Sequence, residues 1–468
     1  MSIKTARDGS TSAHGRAPTR VMMLHAAEWD EALQAGQQRA ATVGHPILVS
    51  LTQAADWGDP IQRFALDTAA FFWEQPAQHR ALVGTGIAAE IATTGPCHIA
   101  DAAQRWRDLL RDAHTITAPD VAAAGPVLFG GFAFDPLHPH TDLWAGFPDG
   151  LLIVPASLWR YDAGQVTLTR SQLVGVAPPL ASPQLRMERS TSDRMMSGQG
   201  LGDAAWQQLV ADTAEQIRAG AYEKVVLARA ETVRQAAAFD IPSALHDLRE
   251  HYSAATIFAV RRGTSTFMGA TPERLARVQD RQITTMALAG SAPRGTTPTQ
   301  DATLSEEFLH SAKIHAEHAI VIDSILADLA QHCVSVQAAD QPRLLKLKNV
   351  QHLETPISGE LLPDRSILDV VATLHPTPAV GGFPRIAALA AIRAGEGMDR
   401  GWYAGPLGWL DAAGDGEFVV ALRSALVQGN AATLFAGCGI VGDSDPASEL
   451  AESRLKLHVM LRALGDEA

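Results

Sequence analysis

The chain is 468 residues long, 46% apolar, and carries a formal charge of −13 at neutral pH. That length can bury a large core, and by length alone suggests about three domains. The acidic balance, with no clustered basic run, excludes a nucleic-acid partner, whose phosphates call for a cationic surface. No apolar run approaches the roughly 20 residues of a membrane helix. Three widely spaced cysteines, Cys97, Cys333 and Cys438, form neither a disulfide framework nor a metal-binding pattern, which points to a reduced, cytoplasmic setting.

The first 20 or so residues are small and polar, with Lys4, Arg7, Arg16 and Arg20 but no apolar core of a secretory signal, so disorder is the expectation there. Short apolar runs follow at Pro46 to Leu51, Ala81 to Gly86, Val127 to Phe134 and Leu151 to Trp159. Pro, Gly and Asp separate them, as for strands with helices between. The stretch from about 177 to 202, rich in Pro, Ser, Arg and Met, reads as a loop joining an amino-terminal half (21–200) to a second half (203–465). Trp206, Leu209, Val210, Thr213 and Ile217 recur at helical spacing, with Gly220 as the stop. A strand from Lys224 to Ala230 comes next, in which Lys224, Val226 and Ala228 face one way and Arg229 the other. Phe267 to Thr271 reads as a strand whose Pro272 turn presents Glu273, and Ile283 to Gly290 as another strand. Glu306 to Leu329 reads as one long helix with Lys313 and Glu317 at i, i+4.

The last quarter holds the densest chemistry. Glycines in Ala436-Gly437-Cys438-Gly439 leave backbone N–H groups open to an anion. The helix behind them, with Asp445 as N-cap and Pro446 at its first position, sets Glu449, Glu452 and Lys456 on one face. Two carboxylates on one face can hold a divalent cation. Gly437, Gly439 and Gly442 also match the dinucleotide fingerprint, but the chain ends before the second strand and acidic residue that such a unit requires. His138, His140, His315 and His318 lack a third zinc ligand and read as surface or helix-face histidines. Taken singly, each candidate has a plain structural reading: Lys224 as a solvated strand end, Lys313 with Glu317 and Glu452 with Lys456 as helix ion pairs.

Taken together, the segments Glu223 to Arg229, Gly269-Ala270-Thr271-Pro272-Glu273, Leu288-Ala289-Gly290-Ser291, Lys313 with Glu317-His318, Gln351-His352-Leu353, His375 to Ala379 and the block from Arg400 to Lys456 resemble the isochorismate synthases. These lie within the chorismate-utilising family that also holds salicylate, anthranilate and aminodeoxychorismate synthases. Phe71 to Glu74 and Gly130 to Asp135 extend the resemblance into the first half. It implies an α+β fold in which both halves build one large sandwich of antiparallel and mixed β-sheets flanked by helices, in place of three domains. It also implies a buried Mg²⁺ site held by Glu317, Glu449 and Glu452. Substrate positions carried over are Gly290, Ser291, His352, Ala379, Tyr403, Leu422, Arg423, Gly437 and Lys456.

In the chemistry that the resemblance implies, Lys224 activates a water that attacks C2 of chorismate, while Glu273 as a carboxylic acid protonates the departing C4 hydroxyl. Burial must shift both groups away from their resting protonation. Lys224 sets the chain apart from anthranilate and aminodeoxychorismate synthases, so no glutaminase partner is expected, and a monomer is. Salicylate synthase, which goes on to eliminate pyruvate, is the rival reading: Ala379 speaks against it, Tyr403 and Leu422 for it. A relative that binds chorismate without turning it over would have lost Lys224, Glu273, Glu317 or Glu449, and all four are present. Ile314 stands where relatives often have an acidic residue, a change that would tune metal affinity. The product could feed menaquinone, siderophore or salicylate synthesis.

Overall fold

A computed structural model describes residues 19–119, 121, 125–175, 200–346 and 350–465. In the strand Ala69–Gln75, Phe71 and Trp73 join one apolar cluster and Phe72 another. The strand Thr256–Arg262 repeats this, with Phe258 and Val260 on one side and Ile257 and Ala259 on the other. Side chains alternate along a strand, so a sheet with apolar residues in both registers must be covered on both faces.

That sheet has twelve strands, and strands from the two halves of the sequence meet at its middle, where Thr256–Arg262 pairs antiparallel with Ala69–Gln75. A second sheet of ten strands has an equivalent seam between Pro406–Asp411 and Val127–Phe132. All pairings among the described residues are antiparallel except Ile47–Ala54 with His114–Thr117. The inner faces of the two sheets share one core: Phe71 stacks on Phe129 with centroids 3.9 Å apart, and Trp144 meets Phe267 edge-on at 5.3 Å. The outer face of the twelve-stranded sheet is covered by the helices Pro60–Ala65, Ile241–His251 and Pro446–Ala463, whose Phe64, Leu245 and Leu457 enter the second cluster. The helices His98–Arg111, Ala312–Leu329 and Ile367–Leu374 pack on the other sheet. The molecule is thus an α+β sandwich of one mixed and one antiparallel sheet with helices outside.

Three local expectations are corrected. The run Leu151 to Trp159 is two strands in different sheets: Gly150–Val154 pairs with Val127–Phe132, whereas Ser157–Asp162 pairs with Arg80–Thr85. Pro155, with no N–H to give a ladder, marks the crossing. The expected helix from Glu306 to Leu329 is two, Pro298–His310 and Ala312–Leu329. Ser311 ends the first in an extended conformation and caps the second, accepting from the Ile314 N–H at 3.4 Å. The first described helix begins at Thr19, just inside the stretch expected to be disordered. Residues 1–18 and 176–199, which include most of that stretch and most of the joining loop, lie outside the described residues. The helix Asp203–Arg218 ends as read, with Gly220 at φ +82°.

Phe71 bridges the two sheets, so Phe71→Ala is expected to cost about 3–5 kcal/mol in denaturant unfolding. Leu66→Ala, at a site 87% exposed, should stay within about 0.5 kcal/mol of the parent.

Candidate active site

The strand Lys224–Arg234 pairs with Ala431–Ile440 on one side and with the short Gly382–Phe383 on the other. Its alternation turns Lys224 and Val226 into a cavity of about 370 Å³ and sends Arg229 the opposite way, to an ion pair with Asp203 at 2.7 Å. The neighbouring strand gives that cavity its room. A Cβ on Gly439 would fall 2.9 Å from Lys224 Cε, and one on Gly437 would fall 3.1 Å from the Tyr403 hydroxyl. These glycines make space for side chains crossing over them, which is why the dinucleotide spacing carries no dinucleotide meaning here.

Glu273 enters from the twelve-stranded sheet's Ser265–Thr271 strand. The buried Thr271 hydroxyl donates to the Val420 carbonyl at 2.6 Å and accepts from the Glu273 N–H at 3.2 Å. The Val420 N–H in turn donates to the Glu273 carbonyl at 3.1 Å. Burial pushes the Glu273 carboxyl up to about 7, against the opposing pull of Lys224, Arg423 and Lys456. Burial also moves the Arg423 guanidinium below its ordinary value and the Tyr403 hydroxyl well above it. Tyr403 stacks on Phe435 with centroids 5.2 Å apart. Arg423 at φ +49° and Ala404 at φ +61° hold left-handed backbone that their side chains disfavour, and both line the cavity.

The helix Pro446–Ala463, N-capped by Asp445, brings Glu449, Glu452 and Lys456 to the cavity. Lys456 Nζ donates to Glu452 Oε1 at 2.6 Å and to the Gly437 carbonyl at 2.8 Å. Burial works to raise the Glu452 carboxyl, but the Lys456 charge and hydrogen bond outweigh it and hold it below its ordinary value. Glu449 moves the other way. Burial raises it, Glu452 adds to the rise, and the Ser444 hydroxyl donating at 2.9 Å offsets only part. Glu449, Glu452 and Cys438 bring donor atoms within 4.8 Å of one another, the one such group among the described residues. Burial pushes the Cys438 thiol up to about 12. It stays protonated near neutrality, so the donors left are carboxylate oxygens, a set that fits a hard cation such as Mg²⁺.

His352, Ala379 and Leu422 also line the cavity, so eleven of the fourteen residues singled out in the sequence meet there. The remaining three are Gly290, Ser291 and Glu317, whose side-chain surroundings lie outside the described residues. Gly290 sits at a register shift in the strand Gln282–Pro293, beside Ser291, which pairs with His352. Glu317 belongs to the helix Ala312–Leu329, and Ile314, three residues earlier, lines the cavity. Of the histidines read as surface or helix-face groups, His318 lies on the helix Ala312–Leu329 and is buried, its Nε2 2.7 Å from Thr355 Oγ1 and its pKa lowered by burial.

Sequence reasoning missed Glu396, and named Arg400 only as the start of the carboxy-terminal block. Both are buried and ion-paired; Arg400 also donates to the carbonyls of Val226 at 2.7 Å and Val380 at 3.2 Å, and lies 4.1 Å over the Phe134 ring. Glu396 accepts from the Ala228 N–H at 2.7 Å. The pair therefore fixes the strand that carries Lys224 relative to the segment that carries Ala379. Their i, i+4 spacing at the end of the helix Arg385–Gly395 was the available signal.

Residues 32–465 match the family model described as chorismate binding enzyme. The chain is 39% identical to the salicylate biosynthesis isochorismate synthase of Pseudomonas aeruginosa over 91% of its length and 92% of that protein's. It is 35% identical to isochorismate synthase MenF of Bacillus subtilis, over 92% and 96%. The solved menaquinone-specific isochorismate synthase MenF of Escherichia coli superposes with a TM-score of 0.70 at 25% identity, covering 92% of this chain and 99% of that one. On that match, which spans both halves of the sandwich and every residue of the cavity, the chain belongs to the family of chorismate-binding enzymes.

Proposed function

We propose that the protein is an isochorismate synthase, converting chorismate to isochorismate with Mg²⁺ as cofactor. The observation that carries this reading is the pairing of Lys224 with Glu273 in one cavity, with the Glu273 carboxyl at about 7. An acid with that value is half protonated at neutral pH, suited to give a proton to a leaving hydroxyl.

In the proposed reaction the neutral Lys224 amine takes a proton from water as its oxygen bonds to C2. The ring double bonds shift, and Glu273 gives its proton to the C4 hydroxyl, which leaves as water. The neutral pair supports itself: Lys224 as a cation draws the Glu273 pKa down, so a neutral amine removes that pull and leaves the acid more fully protonated. Return of a proton from the lysine ammonium to the glutamate resets the site. Arg423 and Lys456 supply fixed positive charge for the two carboxylates of the substrate. Glu449 and Glu452, with Glu317 as carried by the family resemblance, would hold Mg²⁺. When bound, the ion neutralises carboxylate charge that would otherwise repel the substrate.

Incubation with chorismate and Mg²⁺ is expected to yield isochorismate reversibly, without pyruvate, and EDTA should abolish the conversion; products are resolved by chromatography and mass. Pyruvate with salicylate would move the assignment to salicylate synthase, and no conversion would end the reading. Glu273→Gln should lower kcat by about 10²–10⁴ while leaving chorismate binding by calorimetry intact; retained turnover would remove Glu273 from its role. Neutral Lys224 with protonated Glu273 carries one proton in all, as does the ionised pair that forms above about 7, so kcat/KM should rise as pH rises through about 7, and a profile flat from pH 6 to 8 would contradict the assignment.

A further inference from the structure

Beyond the Lys456–Glu452 ion pair lies a second chamber of about 320 Å³. Pro272, Arg423, Glu452 and Lys456 line both this chamber and the active cavity, so they form a wall common to the two. Ala270, 2% exposed, lies at its inner end, while His251, Ala254, Leu455 and His458 at its rim are exposed. The chamber thus runs from the protein surface to the edge of the active cavity.

A recessed site has to exchange ligand with solvent through some part of its wall. Much of the cavity wall is hydrogen-bonded strand, Lys224–Arg234 against Ala431–Ile440, and cannot part without breaking ladder bonds. The shared wall is different, because Arg423, Glu452 and Lys456 are long side chains whose rotamers exchange without any backbone rearrangement. Its charge suits an anion. Lys346, which also pairs with Asp301 at 3.0 Å, stands in the outer chamber, and Arg423 and Lys456 stand at the inner wall, opposed by the single carboxylate Glu452. Apolar Ala254, Leu455 and Val459 complete it for a ring.

The geometry points to this chamber as the entry passage through which a small cyclic dicarboxylate reaches the active site. The inference rests on reading the cavity as a chorismate site. Rotation of Lys456 away from Glu452 opens the way, and the same ammonium that meets the carboxylate in the chamber accompanies it into the cavity. A passage changes how fast ligand moves and leaves its equilibrium affinity alone, which separates it from a second binding site.

The test is stopped-flow binding of chorismate to the full-length Glu273→Gln protein with Mg²⁺, which removes turnover from the signal. Leu455→Trp, narrowing the rim, is expected to slow association and dissociation alike by about tenfold or more, with Kd changed less than about twofold. His458→Glu should slow association about threefold at low salt, with the effect fading as ionic strength rises. Ala254→Leu narrows the opposite rim and serves should Leu455→Trp fail to fold. Unchanged rates in a folded narrowed variant would overturn the passage, as would a second chorismate bound per chain and displaced by Leu455→Trp. Failure of the parent to bind chorismate at all would instead strike at the functional reading, and take the passage with it.

Discussion

The register between the strands Lys224–Arg234 and Ala431–Ile440 is the constraint on which the site depends. Val226 lies opposite Gly439 and Ala228 opposite Gly437. A slip of one residue would turn Lys224 toward the helical layer and put Arg229 on the cavity face of the sheet, since faces alternate with period two. The register is held from several directions. Arg400 and Glu396 bond the backbone at Val226 and Ala228, Gly382–Phe383 pairs with the strand's first residues, and the two glycines admit Lys224 and the Tyr403 hydroxyl where any Cβ would crowd them. The buried ion pair thus acts through hydrogen bonds to backbone, with its charges compensated by each other and by the Phe134 ring.

Around that frame the cavity balances opposing electrostatic demands. Lys224, Arg423 and Lys456 all line the cavity, and each pulls the Glu273 carboxyl toward ionisation. Burial wins and leaves the acid near neutrality. The two carboxylates of the last helix shift in opposite directions: Glu452, bonded to Lys456, is held below its ordinary value, whereas Glu449 is raised by burial and by its neighbour. One helix face thereby presents a satisfied carboxylate beside one that would gain from a cation, and the same Lys456 also reaches the backbone of the glycine strand. The protonation of Glu273, Glu449 and Glu452 is thereby coupled, because Lys456 acts on all three.

Much of this was legible in the chain itself. The Asp445-Pro446 start fixed the phase of the last helix and so placed Glu449, Glu452 and Lys456 together, and strand alternation separated Lys224 from Arg229. Elsewhere local pattern gave the wrong continuation. Leu151 to Trp159 is apolar but for Ser157, and nothing in the run says that Pro155 delivers its two ends to different sheets. Helical spacing continues through Ser311, although its backbone is extended. His318 follows Glu317 in sequence but is buried against Thr355, a partner 37 residues away that local pattern does not show.

Sequence by itself determined which residues share a face, because helix and strand periods are local properties of the backbone, and it carried the motifs that assign the chain to its family. It could not determine which faces meet. Glu273 lies 150 residues before Arg423 and 49 after Lys224, and only the pairing of Lys224–Arg234, Ala431–Ile440, Ser424–Gln428 and Ser265–Thr271 in one sheet sets them around one space. Nor could it settle protonation, since the rise of the Glu273 carboxyl depends on how much water the assembled walls exclude and which cations remain beside it. Desolvation is a property of packing, so it arises only once the sandwich has closed.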